Sequence, residues 1–174
     1  MHTRIEIPEI YRDVNFINPT LGSLSVGKML HNITSFVKIQ PESYYRLVIG
    51  TDSQVKHLNG TAECDYVTAI VIHRIGNGGR YYWRKERMFT KPVLRQKIYE
   101  ETTRSLMTAH SLVPSLRSVI SPAKYSLEIH IDVGTNGPTR EMIKEVVGMV
   151  TGNGFVAKTK PESWAASSVA DRYT

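Results

Sequence analysis

Two short stretches hold the residues best suited to chemistry. Arg46-Leu47-Val48-Ile49-Gly50-Thr51-Asp52-Ser53-Gln54 is an apolar run that ends in an aspartate flanked by small polar residues. Leu127-Glu128-Ile129-His130-Ile131-Asp132-Val133-Gly134 repeats the design. Each reads as a buried strand that delivers one carboxylate to the carboxyl edge of a sheet, where ligands of open α/β sheets collect. Two carboxylates aimed at one place repel each other, so the pair calls for a cation between them, and a metal site is the first hypothesis. Taken singly, either aspartate reads equally well as a turn residue accepting from backbone amides.

The elements that must position these acids follow from periodicity. Residues up to about Leu21 carry prolines and mixed polarity, and read as an irregular arm. From Leu24 to Ile39 the apolar residues Val26, Met29, Leu30, Ile33, Phe36 and Val37 fall at helical spacing. A first strand is expected over Tyr45–Thr51 and a second over about Glu63–Ile75. Gly76-Asn77-Gly78-Gly79 then turns the chain into a third over Arg80–Phe89. A helix is expected from Pro92 to about Leu112, with Pro114 to Lys124 as connector and a fourth strand over Tyr125–Val133. A helix from Pro138 to about Val150, a fifth strand over Phe155–Lys160 and a last helix beginning near Pro161 complete the order. The plan is a helix followed by βββαβαβα. It predicts a single domain over 1–174, with an N-terminal arm and helix over 1–40 and the core over 41–174.

Composition sets the class. The chain has 174 residues, 41% hydrophobic and 22% charged, and a formal charge of +6. Such a chain is globular, and its basic balance favours an anionic partner such as nucleic acid. The single cysteine, Cys64, excludes an intrachain disulfide and a thiolate zinc cluster. No apolar stretch approaches the ~20 residues that span a bilayer, and the first residues lack a signal-peptide core, so a cytoplasmic location is expected.

An aspartate on the first strand and another ending the fourth, in this order of elements, resembles the ribonuclease H-like fold. More narrowly, Ile49-Gly50-Thr51-Asp52-Ser53-Gln54 is similar to the opening signature of the YkuK-type ribonuclease H-like family. Glu101-Thr102 with Ser105, His130-Ile131-Asp132-Val133-Gly134 with Gly137, Lys160-Pro161-Glu162, and Ala166-Ser167-Ser168-Val169-Ala170-Asp171 also resemble it. The likeness implies a mixed five-stranded α/β (α+β) sheet with the first three strands antiparallel, helices on both faces and an extra N-terminal helix. It also implies four catalytic, metal-binding acids: Asp52, Glu101 (or its neighbour Glu100), Asp132 and Asp171. Mg²⁺ or Mn²⁺ would be the cofactor. On this resemblance Asp52 would bridge two ions, Asp132 and Glu101 would hold one, and Asp171 the other. Helical geometry favours Glu101, which falls with Ile98 and Ser105, over Glu100 on the basic side.

Other candidates surround these. Arg80 to Phe89 interleaves cationic and aromatic residues, and Arg84, Lys85, Arg87 and Lys91 are its candidate nucleic-acid contacts. The same alternation suits a strand with one solvated and one buried face. His57 and His130 read as structural histidines, His130 on the same strand face as Asp132. Lys158 and Lys160 read as phosphate contacts or polar strand positions. Asp132-Val133-Gly134-Thr135-Asn136-Gly137-Pro138-Thr139 is also similar to the phosphate loop of actin-like ATPases, but those close two such domains on a nucleotide. Walker A, Rossmann and nucleophile-elbow signatures are absent.

The expected function is therefore a metal-dependent nuclease that hydrolyses phosphodiesters by a two-metal-ion mechanism, leaving a 3′-hydroxyl and a 5′-phosphate. The alternatives are a non-catalytic nucleic-acid-binding module of the same fold and a nucleotide-binding actin-like fragment.

Overall fold

The first departure from this plan lies in the segment expected to be an irregular arm. In a computed structural model that describes residues 5–121 and 123–173, β1 (Asn15–Asn18) and β2 (Gly22–Ser25) form an antiparallel hairpin there. Four residues per strand are too few to establish a period of two, which is why the sequence reads as featureless. Asn18 makes the turn, its side-chain oxygen accepting from the amides of Thr20 and Leu21, both at 3.0 Å. Ser25 then caps α1 (Val26–Ile39), its hydroxyl accepting from Lys28 N.

β3 (Tyr44–Leu58), β4 (Thr61–Arg74) and β5 (Gly79–Met88) form the expected antiparallel meander. β3 and β4 are far longer than the apolar runs indicate, and pair rung by rung from Tyr45↔Arg74 to Leu58↔Thr61. Gln54 to Thr61 is thus a hairpin arm and not a loop. It is closed by Asn59 and Gly60, both at positive φ, a backbone that Asn and Gly adopt at least cost.

α2 (Leu94–Ile120) continues past Leu112, through Pro114, where a connector was expected. Its last turns bury Leu112, Val113, Leu116, Val119 and Ile120, and this packing outweighs the lost amide. The hydrogen bond that Pro114 removes would end on the carbonyl of His110, an exposed residue that water can serve.

β6 (Lys124–His130) pairs parallel to β3, and β7 (Val156–Lys158) parallel to β6. Between them a 3₁₀ turn (Arg140–Met142) leads into α3 (Ile143–Gly152), and α4 (Trp164–Tyr173) ends the chain. The sheet order is β2-β1-β5-β4-β3-β6-β7. Five strands were expected and seven are present, because the β1–β2 hairpin adds to the β5 edge through Ile17↔Trp83. Helices cover both faces. α1, α2 and α3 bury Leu47, Ile49, Ile70, Ile72, Tyr82 and Ile129 on one side, while α4 lies on the other over the Val48–Val71 contact. None of the described helices is long and apolar enough to cross a membrane.

On the α4 face of the long arm, Asp65 is fully buried and ringed by cations. Arg87 Nε stands at 2.7 Å, Lys56 Nζ at 3.1 Å and Lys85 Nζ at 3.8 Å, locking three strands together. Hydrogen bonds from Arg87 and Lys56 hold its carboxyl at about 2, below the usual range. A depressed carboxylate stabilises the fold above its unfolded value near 4, and that contribution is lost as pH falls towards 2. Acid titration of unfolding free energy should show wild type losing about 1–2 kcal/mol more than Asp65→Asn between pH 5 and 2. Equal acid slopes in the two proteins would mean that the cluster adds nothing.

Candidate active site: a convergent carboxylate cluster

The register of β3 on β6 dictates where the two aspartates emerge. Gly50 pairs with His130, so Asp52, still within β3, and Asp132, just past the end of β6, each lie two residues further on at the same level. Strand alternation sends Asp52 towards α4 and its neighbour Ser53 towards α2. Both directions are used. Asp52, 7% exposed, shares a hydrogen bond with Asp171 of α4. The Ser53 hydroxyl donates to Glu101 Oε1 of α2 at 2.6 Å.

The acids come from β3, α2, α4 and the segment leading out of β6, and feel one another. Burial, the bond shared with Asp171, and the charges of Asp171 and Asp132 push the Asp52 carboxyl up to about 7, although the Ser53 amide opposes this. Glu101, 2% exposed, is pushed to about 8 by burial, with Asp52 and Asp132 adding to the rise while Ser53 and Lys97 oppose it. Its Oε2 is buried without a hydrogen-bond partner, and Lys97 Nζ is 3.8 Å from Oε1. Glu100 turns the other way, to Arg104 Nε at 2.9 Å. Beneath Glu101, Ser105 donates to Thr51 Oγ1 at 2.9 Å, which is 3.0 Å from Thr68 Oγ1. These hydroxyls fix the strand–helix contact without adding charge.

Asp132 is engaged by a residue that the sequence reads as a phosphate contact or a polar strand position. Lys160 Nζ lies 2.8 Å from Asp132 Oδ1. The interaction follows from topology. After β7 the backbone stays beside the segment leading out of β6, with Ile131 N bonded to Lys158 O and Lys160 N to Val133 O. A polar residue on the neighbouring parallel strand, level with an edge aspartate, is the signal that could have found it. Ser53, which directly follows Asp52, was likewise missed as the partner of Glu101.

The remaining candidates lie around this cluster. His130 Nε2 is 2.9 Å from Glu128 Oε2, and burial holds the imidazole below its ordinary value. His57 is exposed on the hairpin arm. Lys158 pairs with Glu162 at 3.5 Å. The basic stretch divides by face: Lys85 and Arg87 share the Asp52 face and hold Asp65, whereas Arg84 faces α2 and pairs with Glu86 at 2.7 Å. Lys91 is exposed between β5 and α2.

Among the described residues no three carboxylate, imidazole or thiol groups are already arranged as a metal cage. The donor set nonetheless fits a hard divalent cation. It consists of carboxylate oxygens, one of them buried and unpartnered, and two of its groups are disfavoured in their charged form. The raised acids imply a testable sign. Between about pH 4 and 8 the folded chain holds protons that the unfolded chain has released, so metal-free stability falls as pH rises through that window. In chelator-treated protein at pH 8, Asp52→Asn should exceed wild type by on the order of 2 kcal/mol in denaturant unfolding. A wild-type stability that stays flat from pH 5 to 8 would contradict the cluster.

A family model described as ribonuclease H-like matches residues 28–174. A protein of Bacillus subtilis (strain 168), described as uncharacterized protein YkuK, is 32% identical over 170 residues, covering 91% of this chain and 96% of that protein. No solved structure matches the chain. The five strands β5-β4-β3-β6-β7, the match across most of the chain and the likeness to YkuK together establish that the chain belongs to the ribonuclease H-like family.

Proposed function

We propose that the protein is a divalent-metal-dependent nuclease that hydrolyses phosphodiester bonds in nucleic acid. The observation that carries this reading is that Asp52, Glu101 and Asp171, from β3, α2 and α4, and Asp132, just past β6, interact with one another where β6 ends beside β3. Mg²⁺ or Mn²⁺ held by these four would make a water nucleophilic and neutralise the leaving alkoxide. The chain's own contribution is to keep oxygen ligands aimed at one place. Ser53 fixes one oxygen of Glu101, and burial suppresses competing water around Asp52 and Glu101.

The same sheet face offers contacts for the nucleic-acid backbone. Asp52 pairs with Val67, and Val67 with Lys85, so Lys85 lies two strand spacings from Asp52, about 10 Å. Trp83, one pleat before it, is covered by Tyr173 at 4.1 Å between ring centroids, whereas Lys85 and Arg87 are exposed. Their charges are partly spent on Asp65, which orients them and leaves a modest positive surface for phosphates.

One observation favours a second reading, a binding module that does not cleave. Asp132 already has a cation in Lys160, and a lysine can replace a metal where only charge balance is needed. The two readings separate on turnover. With Mn²⁺ or Mg²⁺, labelled RNA, RNA–DNA hybrid or branched DNA should be cut to 5′-phosphate products. Asp52→Asn and Asp132→Asn should each lower the rate by on the order of 100-fold or more. Binding of nucleic acid without metal-dependent cutting, unaltered in both variants, would favour the module.

A further inference from the structure

We propose that Lys160 is a tethered cation that occupies Asp132 until a divalent ion displaces it, a positioning residue that sets how readily the cluster takes up metal. The inference rests on the metal-site reading above. Three features of the structure support it.

The contact is built rather than incidental. The Lys160 amide is anchored to Val133 O at 2.8 Å, so its Cα is fixed beside the strand extension that bears Asp132. Its stem crosses Gly134, where an added Cβ would stand 3.2 Å from Lys160 Cβ and 3.6 Å from Cδ. A side chain at position 134 would crowd the path by which the ammonium reaches Asp132.

The contact is also reversible in a way that the other buried ion pairs are not. The Lys160 side chain is 57% exposed, so the ammonium can swing into water and be solvated there. Asp65 shows the opposite design, with a fully buried carboxylate closed in by three cations. Of the neighbouring cations, Lys158 pairs with Glu162 outside the cluster, and Lys97 lies 3.8 Å from Glu101 within it.

Finally, the ammonium of Lys160 engages one acid of the cluster, standing 2.8 Å from Asp132 Oδ1, while Glu101 keeps a buried oxygen with no hydrogen-bond partner. A doubly charged ion would satisfy the acids better than the single charge it displaces. Lys160 would then relieve repulsion in the metal-free protein and weaken metal binding by the same interaction.

Calorimetry and thermal melting with Mn²⁺ test this on the full chain, using Lys160→Met, which keeps most of the stem, and Lys160→Arg, which keeps the charge. Lys160→Met should bind Mn²⁺ about two- to fivefold more tightly than wild type, the amount expected for removing one partly exposed ion pair. Its metal-free melting temperature should be lower and its rise on adding Mn²⁺ larger. Lys160→Arg should stay within about twofold of wild type. If wild type binds Mn²⁺, loses it in Asp52→Asn, and Lys160→Met is unchanged or weaker, the tethered-cation role is overturned while the metal site stands. Binding in Lys160→Met but not in wild type would support the role outright. If neither protein binds, both the role and the metal-site reading fail.

Discussion

The parallel pairing of β3 with β6 is the constraint on which the site depends. Its register sets Gly50 opposite His130 and therefore brings Asp52 of β3 and Asp132, just past β6, to the same level side by side. A slip of one residue would turn one of the two aspartates to the opposite face. Hydrophobic burial enforces the register: Leu47 and Ile49 are opposite Leu127 and Ile129 on the face that α1, α2 and α3 cover. The free energy of the apolar core thus holds two like charges together, and the surrounding groups respond to that repulsion. Asp171 shares a hydrogen bond with Asp52, Lys160 approaches Asp132, and Glu101 is raised in its turn.

The sheet carries two acid environments that behave in opposite ways. Asp65 lies on the same face as Asp52 and is as deeply buried, yet its carboxyl is depressed to about 2 where that of Asp52 is raised to about 7. Burial alone raises both. The difference lies in the neighbours, since Arg87 and Lys56 donate to Asp65 while Asp171 and Asp132 crowd Asp52. A short distance along two strands therefore separates an acid satisfied by the protein from acids that the protein leaves wanting a cation.

What the sequence discloses about this arrangement follows from the range of each interaction. Asp52, Asp132, the meander and the α1 stripe are encoded locally, by apolar runs and by periods of two and 3.6, and the structure has them. Glu101 rather than Glu100 joins the cluster because its side of α2 is the buried one, which helical spacing already indicates. Elements whose formation depends on distant partners are harder to read. The β1–β2 hairpin needs the β5 edge, the last turns of α2 need their core contacts to outweigh Pro114, and the β3–β4 arm needs cross-strand pairs such as Asp65 with Arg87. Lys160 is invisible for the same reason. Nothing near it in the chain announces Asp132, and only the parallel β6–β7 pairing brings the two together.

The charge balance of the cluster argues against a purely structural role. Polar groups kept for stability tend towards full satisfaction, because a buried acid without its partner costs more than the pair returns. The Asp65 carboxylate meets that standard, with three cations around it. The Asp52 cluster does not. Lys160 contacts Asp132 at 2.8 Å, Lys97 lies 3.8 Å from Glu101, and Glu101 keeps a buried oxygen with no hydrogen-bond partner. Such a deficit weakens the fold unless something outside the chain fills it. A divalent ion would supply the missing charge without a side chain of its own, and would turn the repulsion that the β3–β6 register imposes into coordination.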